Sequence, residues 1–559
     1  MISFIVSLIL LGGFYDWNVS ITGICILIEI LVLYCKKKPI YKKKKNYFMW
    51  IPAITFLWMI AGTFWSLDYA ENLLGILRGG VILFWVYLCF QMEESEKQKI
   101  FAIIPYLGAI MVGVGIVSLV NENLAAHFWQ ARRFGGFFQY ANTCALFLMI
   151  GLILQIEKLL REKKLNSQKE QIQKKKAVHV IELINRKNIV SIAVLVILLV
   201  GLFLTGSRSI LLLFLAWGIY RAVKIKSLRV PFLVTAAVCL VAAYVYGMIA
   251  KDNQNIARVF TIFQANSTIY GRILYDIDAL SIVKDHPFGL GYMGYYFIQP
   301  AVQTGVYTTR FVHNDVLQVM VDYGIPALLL VLTYLGYQLL KGKQSAQQKE
   351  LIVLLVLASL MDFHLQYMNL LMLLVLCFDL GEKECVKKRK ELRENYFFFG
   401  ISIVAGAYFT VAFGAHYFGN SKLALTLFYD YTEAQIQSLN ECMDKEEAVK
   451  LADEILSHNA YASEAYHIKV YASVMDGDFL QAAEFIDKAL SLKCYDIESY
   501  QTYDLLLEEM IELCENSNML QEMEILKEKK EELPQRLAAL EEETHPIAFK
   551  LRDIPQFMW

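Results

Sequence analysis

The sequence has no cysteines at metal-ligand or disulfide-framework spacing. None of its 10 cysteines stands in a Cys-x-x-Cys arrangement, so neither a zinc site nor a disulfide scaffold is signalled. Most of them, including Cys25, Cys89, Cys144 and Cys239, lie in apolar runs, where cysteine packs as a small hydrophobe. Net charge is nearly absent as well: the formal value of −1 excludes a generally basic nucleic-acid binder. The N-terminal stretch lacks a basic n-region and an Ala-x-Ala site, and a second apolar run follows at once. No cleavable signal peptide is therefore expected.

Apolar sequence is what the chain has in abundance. Of 559 residues, 57% are hydrophobic, a membrane composition. About thirteen apolar runs are candidate spans, at 2–14, 19–35, 47–64, 73–90, 100–120, 140–156, 188–204, 207–220, 230–249, 316–340, 351–360, 367–380 and 396–413. The close pair at 351–380 can also be read as half-helices with a polar break. The expected fold is all-α: a polytopic bundle of about 12–13 spans over residues 1–414, then a soluble helical tail at 421–545.

Charge is unevenly placed. Lys and Arg cluster at 36–45, 158–187, 221–229 and 383–393, and acidic residues dominate the last third. With the N-terminus in the cytoplasm, each of these basic linkers falls on the cytoplasmic side. The loops at 15–18, 66–72, 121–139, 251–315 and 361–366, and everything after 413, then lie outside. The Lys/Gln/Glu run at 163–187 reads as a solvated linker.

The polar stretch 266–326 stands between long apolar runs. It is rich in Tyr and Gly and poor in Lys, Glu and Ser, which argues for an ordered, functional loop at the membrane edge. The tail carries an internal repeat: 448–466 realigns on 482–500, with Asp453, Leu456, Ser457, Tyr461, Glu464 and Tyr466 meeting Asp487, Leu490, Ser491, Tyr495, Glu498 and Tyr500. An offset of 34 residues is the tetratricopeptide period, and the tail resembles that family in its Asp476-Gly477-Asp478 turn followed by Ala482, Ala483 and Ala489. Such a solenoid usually binds a protein partner, although it can also pack on its own membrane domain.

Four outward-facing clusters carry polar residues that a bilayer tolerates only for cause. They are Arg133 to Asn142 at the entry to a span, Thr205-Gly206-Ser207-Arg208-Ser209 between two apolar helices, the central loop with Arg272, Gly289, Gly291, His313 and Asn314, and Asp362-Phe363-His364. At the second, Thr205-Gly206 ends one helix and Ser207 opens the next. A helix N-terminus beside a guanidinium suits phosphate oxygens. Structural readings stand beside these: Arg208 snorkelling at a helix end, Arg133 anchoring the interface beside Arg132, Arg272 paired with Asp276 or Asp278, and His313 capping a helix.

The four clusters in this order resemble the O-antigen ligase and O-antigen polymerase superfamily of integral-membrane glycosyltransferases, over about residues 73–380. The family's Arg-x-x-Gly-x-Phe-x-x-Pro-Asn pattern reads here Arg133-Phe134-Gly135-Gly136-Phe137-Phe138-Gln139-Tyr140-Ala141-Asn142, with Ala141 in place of proline. Thr205 to Ser209 is intact, and Gly271-Arg272, Pro287-Phe288-Gly289-Leu290-Gly291 (for the family's Pro-x-x-Gly-x-Gly, its glycines offset by one), His313-Asn314 and Asp362-Phe363-His364 resemble the remaining elements. The resemblance implies transfer of a glycan from an undecaprenyl-diphosphate carrier to an acceptor hydroxyl at the outer face of the bacterial cytoplasmic membrane, with inversion and with no metal or other cofactor implied. It implies that Arg208 and Arg272 hold the diphosphate and stabilise its leaving charge, and that His313 orients or deprotonates the acceptor. Ser207, Arg133, Asn142, Asn314, Gly289, Gly291, Asp362 and His364 are the further candidate substrate contacts. A flippase of lipid-linked glycans would spread polar residues along a path through the membrane, whereas these cluster on one side. A non-catalytic scaffold explains the tail but not the clustered arginines. No nucleic-acid partner is expected.

Overall fold

The computed structural model describes residues 1–35, 41–43, 47–173, 186–225, 229, 267–385, 393–551, 554, 556 and 557. The candidate span at 230–249, the first part of the central loop at 251–266 and the linker at 174–185 lie outside the described residues. The protein is an all-α polytopic membrane protein. Among the described residues the only strands form two short antiparallel ribbons.

Among the described residues, six helices are long and apolar enough to cross a membrane: Asp16–Cys35, Tyr69–Gln91, Glu94–Val120, Ala141–Glu162, Asp315–Lys341 and Tyr396–Tyr417. Ile51–Phe64 and Ile189–Thr205 are shorter apolar helices. Backbone breaks shorten several of the other described apolar runs. The first run folds as the 8-residue helix Ile2–Ile9, capped at Leu10 and followed by a left-handed stretch, Leu11, Gly12 and Gly13, at φ +55°, +67° and +71°. The runs at 351–360 and 367–380 form the helices Ala346–Ser359 and Met368–Leu376, with Asp362 and His364 in the break between them. They are half-helices, as the sequence allowed.

The chain divides into two compact units, the first comprising Met1–Lys45, Phe84–Gln264 and Gln338–Tyr396. At its centre the helix Ala141–Gln173 is apolar all round over its first turns, and Cys144 to Ile153 are buried. The helices Glu94–Val117 and Arg186–Thr205 pack against it. They approach through glycines: a Cβ on Gly108 would stand 2.7 Å from Leu198 Cδ2, and one on Gly201 2.3 Å from Val112 Cγ2. The two basic linkers at 36–45 and 383–393 meet in a ribbon pairing Tyr41–Lys43 with Lys383–Cys385. Arg221 bonds Glu157 and, at 3.0 Å, Glu350, tying three helices together.

The second unit comprises Asn46–Leu83, Ala265–Tyr337 and Phe397–Trp559. Here the central loop is a small folded body. The helices Ser267–Asp285 and Gly294–Val302 and the start of Asp315–Lys341 surround a core that includes Ala279, Ile282, Tyr295, Val312 and Val321. The Pro287–Gly291 turn lies backbone to backbone on a kink at Gly324: Leu290 N donates to Val321 O at 2.8 Å and Ile325 N to Pro287 O at 2.9 Å. Gly289 has φ +87°, and a Cβ there would stand 2.5 Å from Asp322 O. At Gly291, φ +82°, it would stand 2.6 Å from Ser66 Cβ. Both positions need glycine for conformation and for packing.

The tail of this unit is a run of helices: Ser421–Leu427, Thr432–Glu441, Lys445–His458, Ser463–Asp476, Phe479–Leu492, Ile497–Asn516 and Leu520–Glu543. The helix starts Lys445 and Phe479, and again Ser463 and Ile497, stand at the 34-residue interval seen in the sequence. The capping residues repeat with them, because Asp444 accepts from Glu447 N and Asp478 from Gln481 N. The tail has its own core, including Val470, Ile486, Tyr503 and Leu526.

Candidate functional site

Each unit holds one group of the sequence-derived site residues. In the first unit, three of the four clusters meet. Arg133 donates from Nε to Thr205 O and from Nη2 to Asn142 Oδ1, both at 2.8 Å. Asn142 Nδ2 in turn donates to Asp362 Oδ2 at 2.7 Å, and Tyr140 Oη donates to both Asp362 oxygens at 3.0 Å. Thr143 Oγ1 and His364 Nδ1 lie 3.1 Å apart, both buried. Arg133 is thus built into a hydrogen-bonded chain and is more than an interfacial anchor. Its exposed neighbour Arg132 has φ +62°.

This network ties the entry to one span, the break between two others and the break after Ser359. It sits where the helix Ala141–Gln173 begins, whereas the Arg221–Glu157–Glu350 group lies about four turns further along, some ~22 Å at 1.5 Å per residue.

The second motif folds as its residues imply. The helix Arg186–Thr205 stops at Gly206, φ +59°, and the helix Arg208–Lys224 starts with Ser207 as its N-cap. Ser207 makes no capping bond with its side chain. Its Oγ is buried and has no hydrogen-bond partner among the described residues. Arg208, half-buried, occupies the first helical position. The first amide groups of a helix, its positive dipole end and a guanidinium therefore come together.

In the second unit, Arg272 and Asp276 stand one turn apart on the helix Ser267–Asp285. Asn314 links this helix to the next. Its Oδ1 accepts from Val316 N at 3.1 Å and Leu317 N at 3.4 Å, capping the helix Asp315–Lys341. That use of the oxygen leaves its amide nitrogen to donate to the Asp276 carboxylate. The cap at this junction is Asn314, not His313. The His313 ring lies against Tyr275, centroids 5.3 Å apart, and Tyr275 against Tyr307 at 4.4 Å. Arg272, Asp276, His313 and Asn314 thus form one cluster, whereas Gly289 and Gly291 pack on the kink at Gly324 and on the loop at Ser66 and Asn72.

Two aspartates on this helix differ in kind. Asp278, 1% exposed, accepts from Thr304 N at 3.0 Å, Thr304 Oγ1 at 2.7 Å and Tyr307 Oη at 2.6 Å. Burial raises its pKa and those three donors hold it down, so it acts as a scaffold. For Asp276, burial pushes the carboxyl up to about 6, against the Asn314 hydrogen bond and the Arg272 charge. Its Oδ1 is buried with no hydrogen-bond partner among the described residues. The sequence offered Asp276 only as an ion-pair partner for Arg272.

Sequence reasoning also missed the contacts that hold the tail to the loops of this unit. Asp68 and Glu71 bond the tail at Thr432, Asn459 and Glu433, and Arg310 pairs with Glu433 at 2.9 Å. His545 N donates to Thr304 O at 3.0 Å, and Ala548 and Leu551 pack with Leu274, Tyr275 and Tyr307. The end of the tail thereby touches the helix that carries Arg272 and Asp276. Single charged residues far apart in sequence gave no signal of these pairings.

Residues 193–332 match the protein-family model described as O-antigen ligase. Over this segment the chain is similar to the O-antigen ligase and polymerase superfamily, in line with the sequence motifs. The match covers Ser207, Arg208, Arg272, Gly289, Gly291, His313 and Asn314, and leaves Arg133, Asn142, Asp362 and His364 outside. No curated protein and no solved structure matches the chain.

Proposed function

We propose that this protein transfers or polymerises undecaprenyl-diphosphate-linked glycan onto an acceptor hydroxyl at the outer face of the cytoplasmic membrane, inverting the anomeric carbon. The observation that carries the reading is the Arg272–Asp276–Asn314–His313 cluster inside the O-antigen ligase match. It brings together an anion ligand and two groups able to take or hold a proton. Arg272 is the proposed diphosphate ligand there, supplying the positive charge that a departing diphosphate requires. His313 orients or deprotonates the acceptor hydroxyl. In the first unit the start of the helix Arg208–Lys224, with Arg208 and the buried Ser207 hydroxyl, is a further proposed phosphate-binding position. Arg133, Asn142, Asp362 and His364 are proposed as the framework of that position.

Two pairings support the proposed topology. The ribbon joins two basic linkers assigned to the cytoplasm, and the loop 66–72 bonds a tail assigned to the outside. The 34-residue helix period supports reading 421–545 as tetratricopeptide-like, with a protein partner as its proposed ligand. Mass spectrometry of lipid-linked and surface glycans, with and without the gene, tests the function. Single repeat units accumulating on the carrier indicate a polymerase, and full-length polymer on the carrier indicates a ligase. Unchanged glycans in both fractions would refute the proposal, and loss of outward-facing carrier would favour a flippase.

A further inference from the structure

The geometry points to the Asp276 carboxylate as the catalytic base that takes the proton of the acceptor hydroxyl. This rests on the transfer reading above and goes beyond it, since that reading gives the proton to His313 or to no residue.

Three observations converge on Asp276. Its Oδ1 is buried and unengaged, whereas Asp278, two residues on, is saturated by Thr304 and Tyr307. The carboxylate is oriented by the Asn314 amide, whose own oxygen is fixed by capping the next helix. It also stands four residues, about 6 Å along the axis, from Arg272 on the same helix face. The helix itself is held by Ala548 and Leu551 packed on Leu274 and Tyr275.

In the step, the acceptor oxygen bonds to the anomeric carbon from the face opposite the diphosphate. The bond from that carbon to the diphosphate oxygen breaks, and its electron pair leaves with the diphosphate beside Arg272. The hydroxyl proton passes to Asp276 Oδ1 and is later released to water. His313, lying against Tyr275, then orients the hydroxyl and takes no proton.

Asp276 accepts a proton only when ionised, so turnover rises with pH through its titration near about 6. The groups that act on it are Arg272 on its own helix, Asn314 from the next junction and Tyr295 from the segment between.

The test uses the full chain in nanodiscs, with lipid-linked glycan extracted from cells lacking the gene as donor. Asp276→Asn should lose roughly 10²- to 10⁴-fold in kcat with donor binding retained, and should lose the acid limb of the pH profile. Asp276→Glu, which keeps a carboxylate, should retain that limb at reduced kcat. Added formate should partly restore Asp276→Ala. Asp278→Asn, a change in the scaffold, should lower thermal stability and leave the limb in place. Near-normal kcat in Asp276→Asn, or an acid limb abolished by His313→Gln and kept in Asp276→Asn, would overturn the assignment while leaving the transfer reading intact. A wild-type protein that binds this donor and transfers nothing overturns both.

Discussion

Asp68 gives the sharpest structural test. It precedes the helix Tyr69–Gln91, is 1% exposed, and gathers four donors on one carboxylate. Oδ1 accepts from Ala70 N at 3.0 Å and Glu71 N at 3.1 Å, which caps the helix. Oδ2 accepts from Thr432 Oγ1 at 2.6 Å and Asn459 Nδ2 at 2.9 Å, which binds the tail. Asp68→Ala removes the cap, at a cost of about 1 kcal/mol. It also strands a buried hydroxyl and a buried amide, at roughly 1–3 kcal/mol each. Because these terms share one carboxylate they do not add fully, and about 4 kcal/mol is the expected total. At 1.4 kcal/mol per tenfold, that is on the order of a 10³-fold rise in local opening. Asp68→Asn keeps an oxygen for the cap but turns an amide toward two other donors, so about half the loss is expected.

Hydrogen exchange in detergent or nanodiscs reads this directly. In Asp68→Ala, protection should fall around Thr432 and Asn459 and persist in the tail core at Ile486, Tyr503 and Leu526. Equal protection at Thr432 and Asn459 in the variant and the wild type would refute the reasoning.

Other outcomes follow from the same contacts. Arg208→Ala should weaken donor binding and turnover together, and Arg208→Lys, which keeps the charge and loses the planar fork, should recover only part, as measured by transfer and by separate donor binding. The tail at 421–545 expressed alone should be soluble and strongly helical by circular dichroism, because its core is internal; a β-rich or unfolded spectrum would refute this. Ending the chain after Glu543 removes Ala548 and Leu551 from the Arg272 helix, and should depress kcat while leaving the melting of the tail core unchanged. In intact cells a cysteine placed near Asn518 should react with an impermeant thiol reagent and one near Lys174 should not; the reverse pattern would overturn the topology.

What could be read in advance depended on how local the cause was. Thr205-Gly206-Ser207-Arg208 carries its own instructions, a glycine at φ +59° and a serine before a helical run, so the break and the helix start appear where the residues place them. The 34-residue period likewise sets helix starts, because each repeat supplies its own capping aspartate. Span number was less legible. Hydropathy sees the apolar run at 2–14 but not that its helix ends after Ile9, before a left-handed stretch at Leu11, Gly12 and Gly13.

Pairings made across hundreds of residues carry no local trace. Arg133 was visible as a costly charge, but its partners are a backbone carbonyl at Thr205 and, through Asn142, a carboxylate at Asp362. Asp276 and Asp278 illustrate the same limit at the closest range. In sequence they are equivalent acids beside Arg272, and helical geometry turns them to different faces. One face meets Thr304 and Tyr307, which satisfy Asp278 completely enough to make it structural. The other meets a single amide, already committed by its oxygen to a helix cap, and leaves Asp276 with an oxygen to use. The difference between scaffold and reactive group here lies in the number of donors each face supplies.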